Sequence, residues 1–235
     1  MAHTYATREE HPLVPRLLHW VHLISMFALI LSGLYIAHPF LPGLMGIMRG
    51  THLIFMWVLI ITAVWRVVWA FVGRTAPLGS RETVRDYKHF GPQRENRGTL
   101  GGTIAYYTFM RREAPPVYKY NGLQKGTYVF WLFLIVLQAI SGFAIWGPVQ
   151  EWFLPLSYLV GGPIYMRTIH YVIMWLFVIT TAIHIYLSTL HRDQFDLMFT
   201  GRESAPPAGS TGSRTVVTER TVYPTAGVDP DAPVR

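Results

Sequence analysis

The chain has no cysteine among its 235 residues. That excludes disulfides, thiolate metal sites, protein-bound iron–sulfur clusters and any C-x-x-C-H covalent attachment. Redox or metal chemistry carried by the chain itself therefore falls to histidine, of which there are ten. Charge is also scarce, at 14% of residues against 51% hydrophobic, with eight tryptophans. Such a composition is too apolar for an ordinary soluble domain.

The apolar residues are gathered into four runs, about 17–37, 52–73, 127–147 and 168–190. Each matches the roughly 20 residues that a helix needs to cross a hydrocarbon core. The alternation required of a membrane β-barrel is missing, and a spanning segment must otherwise satisfy its own backbone as a helix. The fold expected is all-α, an integral membrane four-helix bundle over 17–200. A polar lead, 1–16, precedes it, and a Pro-, Gly-, Ser- and Thr-rich tail, 201–235, reads as disordered. The first run follows a mixed-charge segment with no small-residue cleavage site, so it reads as a retained span and not a signal peptide.

Between the second and third runs, the loop 74–126 carries ten Lys and Arg residues against four acids, whereas the other two loops hold only Arg49 and Arg167. The positive-inside rule then places both termini and this loop in the cytoplasm. The net charge of +7 is explained by topology, and nucleic-acid binding is not expected. Within the loop, "TIAYYTFMRRE" reads as a short interfacial helix.

The fourth run, "IHYVIMWLFVITTAIHIY", carries two histidines, His170 and His184, in a setting where ionisable groups are costly and face the bundle interior with a partner. Fourteen residues at 3.6 per turn come to almost four turns, so both point the same way, about 21 Å apart in depth. The first run enters from inside with His19 at its start; the second enters from outside with His52 at its start. Depth thus pairs His19 with His184 near the inner face and His52 with His170 near the outer one. Facing imidazoles across a bundle are what a six-coordinate b-type haem requires, so two such haems are expected.

Gly33 lies fourteen residues beyond His19, and Gly142 near the outer end of the third run; both would clear space for the outer haem, although glycine also serves ordinary close packing of membrane helices. Arg66, fourteen beyond His52, would neutralise a propionate of the inner haem, contact a polar ligand, or snorkel to the inner surface. His22, one turn from His19, is the rival inner ligand. His38 and His191 lie at span ends. A zinc site is a poorer fit, because two histidines at each depth without a carboxylate make a thin ligand set.

These stretches resemble the di-haem cytochrome b subunits of membrane-bound NiFe-hydrogenases and formate dehydrogenases: "RLLHW" (16–20), "RGTHLIFMWVLIITAVWRVVWAFVG" (49–73), "YNGLQK" (120–125) and "RTIHYVIMWLFVITTAIHIY" (167–186). The resemblance covers about 12–200, apart from portions of the long loop. It implies a chain in a prokaryotic cytoplasmic membrane whose haem ligands are His19 with His184 and His52 with His170. It also implies an external Fe–S subunit with its catalytic subunit as electron source, and reduction of membrane quinone near the inner face. Asn121 would lie at the quinone site, against the simpler reading of Asn121–Gly122 as a turn before a helix. "WAFVG" with the long loop is similar to hydrogenase subunits, while "YNGLQK" and "FAIWGP" are closer to formate dehydrogenase or thiosulfate reductase anchors.

Two other classes compete. A stand-alone cytochrome b561-type carrier would need basic outer loops to hold an anionic reductant, and only Arg49 and Arg167 are there. A haem-free anchor or transporter would need acidic residues within the spans, and the four runs contain none.

Overall fold

The computed structural model describes residues 12–75, 84–92, 94–113, 115, 120–190 and 198–199. Most of the polar lead, part of the long loop, His191 and the tail 201–235 lie outside them. The chain forms α1 (Leu13–Ala37), α2 (Met45–Val72), a short α3 (Thr99–Tyr107), α4 (Gly122–Ile145), α5 (Leu154–Leu159) and α6 (Pro163–Leu190). Of these, α1, α2, α4 and α6 are long and apolar enough to cross a membrane. The protein is an all-α, multi-pass membrane bundle.

The helices overrun the expected spans, chiefly at their N-termini. Hydropathy marks only the oily slab, whereas a helix propagates until the backbone stops it. α2 starts at Met45, just after Gly43 turns the chain at φ 85°, and α4 starts at Gly122, just after its cap. Inside the slab, hydroxyls bond back to their own helices: Ser32 to the Ala28 carbonyl at 2.6 Å, Thr62 to Val58 at 2.7 Å and Thr180 to Leu176 at 2.7 Å. That is the local solution where no water is available.

The bundle is built as two helical hairpins, α1 against α2 and α4 against α6, with a thinner contact between α2 and α4. Leu134, Ile173 and Phe177 form a buried cluster between α4 and α6, and Met26 of α1 packs on it. Outward faces stay apolar and exposed, as at Ile24, Phe27 and Leu31 of α1. At the start of α1, Trp20 Nε1 donates to the Met198 carbonyl at 3.3 Å and Arg16 to that of Phe199 at 2.6 Å.

The long loop is more ordered than its polarity suggests. Strands β1 (Arg74–Thr75) and β2 (Val84–Arg85) pair antiparallel, and a 3-10 turn over Asp86–His89 tucks beneath the end of α2. The Asp86 amide bonds the Gly73 carbonyl at 3.0 Å, and both Asp86 and His89 are buried. The helix expected at 103–113 is shorter than its sequence pattern: α3 ends at Tyr107, and Phe109 at φ 60° turns the backbone before Arg111 and Arg112.

Candidate functional site

Two pairs of imidazoles face each other across the bundle. His19 and His184 have ring centres 6.2 Å apart, with 58° between their planes. His52 and His170 are 6.3 Å apart at 62°. The other candidate, His22, lies instead against the Thr62 backbone of α2. His38 sits at the end of α1 against the Tyr171 hydroxyl, 3.4 Å away.

These spacings can be tested against the group that the residue types suggest. A metal bound between two imidazoles contributes two bonds of about 2 Å, and each ring adds about 1 Å from nitrogen to centre, giving roughly 6 Å. Both pairs fit. Around the His19–His184 pair, the Trp131 ring lies 5.6 Å from His184, and Trp131 Nε1, His19 Nδ1 and Thr181 Oγ1 are buried without hydrogen-bond partners among the described residues. Buried polar atoms of this kind call for a further partner. No cluster of three or more His, Asp or Glu among the described residues could hold a bare ion. Pairs suffice only where a macrocycle supplies the remaining ligands, as haem does.

The glycines adjoin the His52–His170 pair, in a specific way. A Cβ at Gly33 would stand 3.3 Å from His52 Cε1, and one at Gly142 would stand 3.2 Å from His170 Cε1. The space each glycine leaves is filled directly by the imidazole. Beside each glycine is a serine: Ser32 Oγ lies 3.0 Å from His52 Nδ1, and Ser141 Oγ lies 2.9 Å from His170 Nδ1. Gln138 adds its amide nitrogen, 3.2 Å from His170 Nε2. The serines were not singled out in the sequence. The signal for them is the repeated Ser–Gly step, "LSGL" at 31–34 and "ISGF" at 140–143.

Arg66 points into the folded loop and pairs with Asp86 at 3.0 Å. Thr75 adds a hydroxyl 3.3 Å from the other Asp86 oxygen, and the guanidinium lies over the Phe90 ring. The acidic partner comes from outside the spans, so it could not be paired with Arg66 by depth. Asn121 caps α4: its side chain accepts from the Gln124 amide at 2.7 Å, while the Gln124 side chain accepts from the Asn121 amide at 2.9 Å. The pattern Asn-x-x-Gln is a capping box, a stronger statement than a turn. The Asn121 side chain also bonds the Tyr107 hydroxyl, whose pKa burial pushes up and this bond only partly restores. Beside Asn121, an apolar groove runs between α3 and α4, lined by Leu100, Gly122, Leu123, Gly126, Thr127 and Phe130.

Comparison with known proteins meets this geometry from another side. The chain is 24% identical over 200 residues to a probable Ni/Fe-hydrogenase B-type cytochrome subunit of Rhizobium leguminosarum, covering 74% of this chain and 77% of that one. It is 29% identical over 192 residues to the protein of the same name in Azotobacter chroococcum, covering 74% and 76%. A putative protein-methionine-sulfoxide reductase subunit, YedZ1 of Azospira oryzae, is 26% identical over 197 residues, covering 77% of this chain and 90% of the relative. The family model for prokaryotic cytochrome b561 matches residues 10–201, the whole four-helix region with all four paired histidines. The chain therefore belongs to the prokaryotic cytochrome b561 family, membrane proteins that transfer electrons by means of b-type haem.

Proposed function

We propose that this chain is the membrane cytochrome b subunit of a hydrogenase complex. In this reading it binds two b-type haems, holding one between His52 and His170 and the other between His19 and His184. It takes electrons from an Fe–S subunit docked at the outer face, itself served by a catalytic subunit, and delivers them to membrane quinone at the inner face. Both termini and the basic loop face the cytoplasm of a prokaryotic cell. The observation that carries the proposal is the presence of two imidazole pairs, at 6.2 and 6.3 Å, one towards each end of the bundle.

A haem bound between each pair supplies reversible one-electron chemistry. The chain's own work is to position and to insulate. The four histidines present ring nitrogens across the bundle, and the apolar helices exclude water from between them. Arg66 and Asp86 fasten the loop under the inner end, and Asn121 fixes the first turn of α4 beside the apolar groove. That groove is where the chain would receive the quinone ring. Reduction there needs protons, which the inner surface supplies; electrons arriving from outside then separate charge across the membrane.

Hydrogenase is chosen over formate dehydrogenase because hydrogenase cytochrome subunits recur among the relatives, whereas the formate dehydrogenase alternative rests on "YNGLQK" and "FAIWGP". A second reading, an anchor for a methionine-sulfoxide reductase, is favoured by the relative aligned over 90% of its own length. Haem quantification by pyridine haemochrome tests the core of the proposal. Two haems per chain are expected, with His184→Ala losing one and His170→Ala the other. Reduction of the purified complex by hydrogen but not by formate selects the partner. A well-folded chain without haem would overturn the proposal.

A further inference from the structure

The outer pair is held by a device that occurs twice. On α1, Ser32 Oγ lies 3.0 Å from His52 Nδ1 while the neighbouring Gly33 admits the Cε1 edge of the same ring. On α4, Ser141 Oγ lies 2.9 Å from His170 Nδ1 while Gly142 admits that ring's Cε1 edge. Each serine sits across its own hairpin from the histidine it touches, α1 to α2 and α4 to α6.

The direction of these hydrogen bonds follows from the hydroxyl protons. Ser32 has one proton, and the Ala28 carbonyl at 2.6 Å and the Leu29 carbonyl at 3.2 Å are placed to take it. For Ser141 the Gln138 carbonyl at 3.1 Å is placed in the same way. With the protons so directed, each serine oxygen accepts and each imidazole donates from Nδ1. A neutral imidazole that is protonated at Nδ1 has its lone pair on Nε2. The Gln138 amide nitrogen, a donor 3.2 Å from His170 Nε2, fits the same tautomer and occupies the lone pair that an iron would take in its place. At the inner pair, by contrast, His19 Nδ1 has no partner among the described residues.

We infer that Ser32 and Ser141 are positioning residues of the outer haem site: they fix His52 and His170 as Nδ1–H tautomers, aim Nε2 at the iron and make both rings stronger donors to the ferric state. The inference rests on the reading of His52 and His170 as ligands. Outer-shell partners of ligating histidines orient the ring and raise its basicity, and losing one typically weakens metal binding about 10–100-fold. Stronger donation to ferric iron lowers the reduction potential, so the device would bias electrons to leave the outer site for the inner one.

The test is a redox titration of the purified, haem-loaded chain on a His184→Ala background, which would retain only the outer haem, repeated with both haems present. Ser32→Ala and Ser141→Ala are each expected to raise the outer midpoint potential, by about 59 mV for each tenfold loss of preference for the ferric form, and to shift its low-spin electron paramagnetic resonance signal. The double variant is expected to move further than either single one, while Ser32→Thr and Ser141→Thr, which keep the hydroxyl, return toward the parent. Ser25→Ala is the control: Ser25 is fully buried on α1 seven residues before Ser32, and its hydroxyl touches no partner among the described residues. Unchanged potentials in both single variants and the double variant overturn the inference, even if His170→Ala and His52→Ala each lose a haem and so leave the ligand reading standing. If neither histidine variant loses a haem, the ligand reading and the inference fall together.

Discussion

Replacing Arg66 or Asp86 discriminates two roles for the one charged residue within a span. Asp86 is 2% exposed and the Arg66 side chain 28%, with 3.0 Å between nitrogen and oxygen. Removing one partner of a buried pair costs about 3–5 kcal/mol, mainly because the other charge is left uncompensated. Here the lower end applies, since the guanidinium keeps some access to solvent and the carboxylate keeps the Thr75 hydroxyl at 3.3 Å. Arg66→Ala and Asp86→Ala should each destabilise the protein by about 3 kcal/mol, more than a hundredfold in the folding equilibrium. The double variant should cost less than the sum by roughly 1–3 kcal/mol, the coupling expected of residues in direct contact. Unfolding in mixed micelles titrated with denaturing detergent, followed by tryptophan fluorescence, measures all three. Additive losses, with haem lost only when Arg66 is replaced, would refute the pairing argument and return Arg66 to a propionate.

Gly142→Ala and Gly33→Ala should each push an imidazole by a few tenths of an ångström, because the new Cβ would meet His170 Cε1 at 3.2 Å or His52 Cε1 at 3.3 Å. Overpacking of this kind costs about 1–3 kcal/mol; the outer haem should lose occupancy while the inner one is unaffected, read by redox difference spectra. Gly50→Ala, where a Cβ meets nothing within 4 Å, should leave both haems in place. Asn121→Ala should cost about 0.5–2 kcal/mol through the lost cap, and Asn121→Asp, which keeps the capping oxygen, should restore that stability. If quinone reduction follows stability across the two variants, Asn121 serves through the cap; if it falls equally in both, the amide touches the quinone.

The sequence and the structure agree where a one-dimensional ruler suffices. Helical rise and the fourteen-residue spacing of His170 and His184 predict partners at matching depth, and His19 and His52 are the rings found there. Three things escape that ruler. The partner of Arg66 lies twenty residues on, in a loop whose return under α2 depends on a backbone bond from Asp86 to Gly73. The serines look like ordinary small polar residues in a helix until the facing helix brings an imidazole to each. Asn121 and Gln124 spell a capping box, more than the turn before a helix that the sequence reading sets against a quinone role for Asn121. Contacts between elements must be known before such residues acquire a role.

The arrangement of contacts also explains why the two ends of the bundle are built differently. Each outer histidine is steadied from within its own hairpin, by a serine and a glycine one helix away, while the ring it faces belongs to the other hairpin. Each of these two rings is thus held by contacts within its own hairpin, independently of the ring it faces. The inner rings stand at the N-terminal end of α1 and the C-terminal half of α6, the first and last of the four membrane-length helices. There the fold supplies different props: Trp20, 5.4 Å from His19 and bonded to the Met198 carbonyl, and Trp131, 5.6 Å from His184. Indole packing holds a ring in place without accepting its proton, so position at the inner end is fixed while the tautomer is not. Hydroxyl acceptors fix both at the outer end. The same pair of residue types, two histidines, is thereby given two electronic settings by neighbours that differ in whether they can accept a hydrogen bond.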